Sequence, residues 1–310
     1  MTLPSRVTIV EVGPRDGLQN VPATPSTAAK VAFIDRLSEA GLPVIEVGAF
    51  VDPRRVPAMA DTEAVARAVA RRPGTRYAAL VPNLRGLARA ADAGIREVAV
   101  FGAASESFSR RNINQGIAES LAGFGLVFRD ATASGMRVRA YLSTAFGCPY
   151  EGEVPASRVA ELTDELLQLG AGEVAVSDTI GVAHPGLVWR VLDAVASRVP
   201  IDRVALHFHD TRGTGLANVL AGLQAGVATF DASCGGLGGC PFAPGASGNL
   251  ATEDLVYMLD GLGVETGVSL PGLVEASRAI APHVPGDLPS KYFRAQQAAS
   301  RRSDVDPGDA

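Results

Sequence analysis

One recurrence organises the hydrophobic pattern of this chain. A helix-like segment ends in Gly, and a short apolar run follows at once. It appears as EAGLPVIEV at Gly41, DAGIREVAV at Gly94, ASGMRVRAY at Gly135, LGAGEVAV at Gly170 and QAGVATFD at Gly226. Gly suits the left-handed position that ends a helix, where a Cβ would clash. The runs after it are strand-length and rich in Val and Ile, as strands covered on both faces are. Repeated helix–Gly–strand units predict parallel strands joined by crossover helices.

Eight strands are expected near 7–12, 43–47, 76–81, 97–101, 137–143, 173–177, 203–208 and 227–232, with helices in most gaps. Ser26 is a plausible cap for a helix whose Val31, Ile34 and Leu37 share one face. His184-Pro185 puts proline where a first helical turn tolerates it. No G-x-G-x-x-G follows the first strand, which favours a closed barrel over an open dinucleotide-binding sheet. The expected fold is α/β, a (β/α)8 TIM barrel with extra C-terminal helices. Residues 1–275 form the barrel, and 276–310 a helical extension with a frayed tail.

Composition narrows the function. The chain has 310 residues, 47 % of them hydrophobic, enough for one large core. Lys+Arg total 28 against Asp+Glu 33, and no basic stripe points to nucleic acid. Cys148, Cys234 and Cys240, an odd count without C-x-x-C, argue against a disulfide framework and for a reducing cytosol. The opening MTLPSRVTIV is too short an apolar run for a secretory signal, and no stretch suits a membrane span. The terminal SDVDPGDA carries no lipidation or peroxisomal signal.

In such barrels the active site lies at the C-terminal strand ends. Here the first strand runs into GPRDGLQN, the sixth into Ser177-Asp178-Thr179 and the seventh into LHFHDT. His207 and His209, two apart on a strand, share one face and can meet one ion. Two core histidines bonded to neighbours are the alternative. Asp16 and Asn249 are the expected oxygen ligands from other loops, a mixed shell suited to Mg²⁺ or Mn²⁺ and open to Zn²⁺. Glu46 lies inside the apolar run VIEVGAF, where a carboxylate needs a partner, and Arg15 is the expected one. CGGLGGCPFAPGASGN is too glycine-rich for a helix or strand. It reads as a lid that carries Cys240 over a substrate.

Taken together, GPRDGLQN, HFHDT and GGLGGCPFAPGASGN resemble the 3-hydroxy-3-methylglutaryl-CoA lyases, metal-dependent barrel lyases. VIEVGAFVDPRRVPAMAD, FGAASESFSRRNIN, GCPYEG, SDTIGV and ASGNLATEDLVYML extend the resemblance over about residues 6 to 275. The resemblance implies that Asp16, His207, His209 and Asn249 are metal ligands. It implies that Arg15 steadies an enolate with Glu46 as its supporting acid, and that Cys240 belongs to a mobile catalytic loop. Asp178 matches an acidic group near the substrate, and the stretch from Arg111 through Asn112 to Asn114 a coenzyme A contact. Gln19, in the first motif, is counted among the substrate-binding residues. Ala49 and Ala175 stand where the family commonly has Ser, and Phe208 where it often has Cys or another small residue.

The expected function is therefore retro-Claisen cleavage of 3-hydroxy-3-methylglutaryl-CoA to acetyl-CoA and acetoacetate. The expected setting is a cytoplasmic homodimer with an acyl-CoA substrate and no nucleic-acid or membrane partner. One rival is the same chemistry on citramalyl-CoA or a longer 3-alkyl analogue, motivated by Ala49 and Ala175. A condensing synthase is a second, opposed by Leu18 where such enzymes usually carry Glu. A non-catalytic binding barrel is the third.

Overall fold

The computed structural model describes residues 3–239 and 248–303. Eight strands close into one parallel barrel in sequence order. They are β1 Thr8–Glu11, β2 Val44–Ala49, β3 Arg76–Leu80, β4 Glu97–Ala103, β5 Arg137–Ser143, β6 Glu173–Asp178, β7 Val204–Phe208 and β8 Thr229–Ala232. All eight fall where the sequence places them. β1 pairs with β8 in parallel, so the sheet has no free edge.

The helices follow the strands as crossovers. They are α1 Thr27–Glu39, α2 Thr62–Ala68, α3 Leu84–Asp92, α4 Glu106–Ile113, α5 Ile117–Ala133, α6 Ala156–Gln168, α7 Pro185–Ala196, α8 Gly215–Gln224 and α9 Thr252–Gly261. Two more follow the eighth unit, α10 Leu270–Ile280 and α11 Lys291–Ser303. The boundary expected at residue 275 lies inside α10, which packs on α1. All five glycines of the recurrence take positive φ, from 70° at Gly135 to 118° at Gly170. Each thus ends a helix in the backbone region that costs glycine least.

Local signals act as expected. Ser26 Oγ accepts the Ala29 amide at 3.2 Å, and Pro185 opens α7. On α1, Ile34 and Leu37 are fully buried, Val31 partly, and Phe33 joins them. No helix among the described residues is long and apolar enough to cross a membrane.

The barrel interior is layered, and the layers set up the site. Val10, Val12, Val44 and Ala78 form one apolar plug. Ala99, Ala175 and Ala205 form another around Tyr141. Three alanines in one layer leave space for larger polar side chains. Tyr141, Arg139, Glu46 and Asp231 are all buried.

Candidate active site

The GPRDG segment directly after β1 folds as a single π-turn, Gly13–Gly17. The amides of Arg15, Asp16 and Gly17 all reach the Val12 carbonyl, at 3.1, 2.8 and 3.1 Å. This tight winding turns two consecutive charged residues over the strand end. Glycine is required at its exit, because a Cβ on Gly17 would lie 2.9 Å from both Leu237 Cβ and Ser233 Oγ.

Arg15 then binds two carboxylates. Its Nε donates to Glu46 Oε2 at 2.5 Å and its Nη1 to Asp16 Oδ1 at 2.8 Å. Burial pulls the guanidinium down, but Glu46 and Asp16 outweigh it and hold Arg15 above its ordinary range. Burial pushes Glu46 up against the pull of Arg15. For Asp16, burial is outweighed by Arg15, His207 and His209, and the carboxyl sits below its ordinary value. Asp16 is therefore an anion at neutral pH.

The two histidines meet Asp16. One donor atom from each of Asp16, His207 and His209 lies within 4.8 Å of the others. The imidazole centroids are 5.3 Å apart. His209, just past β7, forms a backbone bridge with Asn249, which brings that amide into the group. Asn249 Nδ2 donates to Asp16 Oδ2 at 2.8 Å and to the Leu237 carbonyl at 3.2 Å. Its Oδ1 is buried without a hydrogen-bond partner among the described residues, and so is His209 Nδ1. Unpaired buried acceptors are costly. A cation among them would satisfy both, so these residues fit a metal ion. Burial and the neighbouring His207 push His209 down to about 4, so its ring is neutral and able to ligate.

Arg15, Asp16, Glu46, His207, His209 and Asn249 thus come together as one group. Gln19 is half-buried two residues beyond the turn. Asn112 is exposed at the end of α4, and Asn114 caps that helix with φ 57°. Asp178 ends β6, and its two oxygens accept the amides of Val182 and Ala183, both at 3.0 Å. Burial lifts its carboxyl to about 6. Cys240 lies outside the described residues.

Three residues of the group escaped the sequence reading. Tyr141 donates to Glu46 Oε2 at 3.3 Å and lies between two guanidiniums, Arg15 at 5.1 Å and Arg139 at 4.9 Å from its ring centre. Arg139 crosses the barrel to grip Asp231 with both terminal nitrogens, at 2.6 and 3.2 Å. Asp231 in turn meets His207 Nδ1 at 3.1 Å. The signal was present: Arg139 and Tyr141, two apart in the apolar run VRAYL, raise the same question as Glu46 does.

The family described as HMGL-like matches residues 6–280. The chain belongs to the HMGL-like family. A mitochondrial hydroxymethylglutaryl-CoA lyase of Rattus norvegicus is 52 % identical over 294 residues, covering 95 % of this chain and 90 % of that one. A Pseudomonas aeruginosa relative named as a 3-hydroxy-3-isohexenylglutaryl-CoA/hydroxy-methylglutaryl-CoA lyase is 51 % identical, covering 90 % of this chain and 93 % of that one. The crystal structure of a hydroxymethylglutaryl-CoA lyase from Pseudomonas aeruginosa superposes with a TM-score of 0.94 at 49 % identity, over 96 % of this chain and all of that one. Its hydroxymethylglutaryl-CoA lyase relatives, at about 50 % identity over most of the chain, make it a carbon–carbon lyase.

Proposed function

We propose that the chain cleaves 3-hydroxy-3-methylglutaryl-CoA to acetyl-CoA and acetoacetate in a retro-Claisen reaction. The observation that carries this reading is the meeting of Asp16, His207 and His209 within 4.8 Å, with buried Arg15 bonded to Asp16 beside them. Asp16, His207, His209 and Asn249 would hold a divalent cation, and Mg²⁺ or Mn²⁺ suits their mixed nitrogen and oxygen atoms. When bound, such a cation polarises the tertiary hydroxyl and carboxylate of the substrate as a Lewis acid.

The remaining work falls to the protein. Asp16 takes the hydroxyl proton, while His207, with Nδ1 turned to Asp231, serves as a ligand. As the C2–C3 bond breaks, negative charge appears on the thioester oxygen. Arg15, held by Glu46 and Asp16, is rigid enough to meet that charge without reorganising. Cys240 then protonates the carbon. Gln19, Asn112, Asn114 and Asp178 belong to the substrate's surroundings in this reading. A reducing cytosol suits the free buried thiols of Cys148 and Cys234, and a homodimer is proposed on the family resemblance.

A coupled assay for acetyl-CoA release tests the reading. Activity is expected to vanish on chelation and return with Mg²⁺ or Mn²⁺. Full turnover in chelator, or none on this thioester with metal restored, would overturn it. Longer 3-alkyl substrates are a second reading, favoured by the double name of the Pseudomonas aeruginosa relative and by Ala175 in the interior layer beside Tyr141. A panel of thioesters compared by kcat/KM decides between them.

A further inference from the structure

His207 is held at Nδ1 by an arrangement that the proposed reaction does not use. Its strand neighbour across the β7–β8 pair is Asp231, matched to it in register. Asp231 Oδ2 lies 3.1 Å from His207 Nδ1. The same carboxylate is gripped by Arg139, whose Nη2 donates to Oδ1 at 2.6 Å and whose Nη1 donates to Oδ2 at 3.2 Å. Arg139 is itself immobilised. Its Nε donates to Glu173 at 2.7 Å and its Nη1 to Tyr141 Oη at 3.0 Å. Asp231, Arg139 and Tyr141 are each no more than 5 % exposed.

We infer that Asp231 is a positioning residue for the metal site, fixing the proton of His207 on Nδ1 so that Nε2 keeps its lone pair for the ion. The inference rests on the metal reading proposed above. A carboxylate paired with a guanidinium can only accept, so the imidazole nitrogen facing it must donate. A neutral imidazole carries one N–H, and placing it on Nδ1 leaves Nε2 free. Arg139 removes Asp231's freedom to rotate, because a bidentate grip fixes the plane of the carboxylate.

Asp231→Asn separates positioning from packing. The variant side chain has nearly the same shape. Its oxygen is claimed by Arg139, which only donates. The amide NH₂ is then turned to His207 Nδ1, which must accept. The imidazole proton moves to Nε2 and blocks the lone pair that a metal needs.

Two measurements test this on the full chain. Mn²⁺ binding, followed by electron paramagnetic resonance of the free ion, is expected to weaken about 10- to 100-fold in D231N with the melting temperature little changed. ¹⁵N chemical shifts of the metal-free protein, with His207→Gln identifying the His207 signals, are expected to show Nδ1–H in the wild type and Nε2–H in D231N. Mn²⁺ affinity equal to wild type in a folded D231N overturns the inference while leaving the metal reading intact. Wild-type His207 with its proton on Nε2 and none on Nδ1 overturns it without any Asp231 variant, even if D231N fails to fold. If the wild type takes up no Mn²⁺ at all, the metal reading falls and the inference falls with it.

Discussion

Glu11 and Glu253 grip consecutive amides of one turn. Glu11 Oε1 accepts the Cys234 N–H at 2.9 Å, and Glu253 accepts the Gly235 N–H at 2.9 and 3.0 Å. Glu11 also accepts from Thr252 at 2.6 Å, and Ser277 Oγ donates to Glu253. Two buried carboxyls thus pin the point where the glycine-rich segment leaves β8.

That arrangement has a pH signature. Burial pushes each carboxyl from 4.5 up to about 7, against the hydrogen bonds that pull it down. Between those values the folded chain holds protons that the unfolded chain has released. Stability therefore falls as pH rises through this window and levels off above it. The melting temperature is expected to be higher near about pH 5.5 than near about pH 8, by several degrees. Glu11→Gln and Glu253→Gln should each flatten the slope. A variant that keeps the full wild-type slope would exclude its residue as the source.

Arg15→Gln should lower kcat on the order of 10²–10³-fold and raise KM far less. The guanidinium meets charge that exists only as the bond breaks, so its loss appears in the transition state. Steady-state kinetics on the CoA thioester read this directly. A steep rise in KM with kcat intact would make Arg15 a binding residue only.

Asp16→Ala and His209→Ala should each abolish metal-dependent turnover and Mn²⁺ uptake while the barrel stays folded. Both side chains contribute donor atoms to the same cluster and neither is part of the apolar core. Circular dichroism checks the fold, and equilibrium dialysis checks the metal. Near-normal turnover in either folded variant removes that residue from the ligand set.

Tyr141→Phe should cost both stability and rate, but modestly. The hydroxyl accepts from Arg139 and donates to Glu46, so its loss leaves two buried charged groups each one partner short. A destabilisation of about 1–3 kcal/mol is expected, read from denaturant unfolding. The fall in kcat should be smaller than for Arg15→Gln, because the ring does not carry the charge. A drop as large as that of Arg15→Gln would instead place the hydroxyl at the reacting atoms.

Much of the site was legible because it depends on local spacing. The i, i+2 separation of His207 and His209 places them on one face wherever the strand lies. Glu46 was conspicuous because a carboxylate in an apolar strand demands a partner. The eight strands were legible because each helix–Gly–strand boundary is a short-range event. Asp178 differs, because its two oxygens accept the amides of Val182 and Ala183, a pairing set by how the following loop folds back and announced by no local spacing.

The sequence by itself determined the barrel, the parity of the histidines and the requirement that Arg15 and Glu46 find counter-charges. It also named Arg15 as the partner of Glu46. Tertiary structure alone decided the partners that lie on distant strands. Arg139 and Asp231 are 92 positions apart, and they meet only because β5 and β8 face each other across a closed barrel. Asn249 reaches Asp16 over 233 positions through a backbone bridge to His209. Strand register and barrel closure set these distances, and both arise from the sum of many weak core contacts rather than from any motif. A short sequence pattern can demand a partner for a buried charge, but where that partner lies on a distant strand only the closed fold selects it.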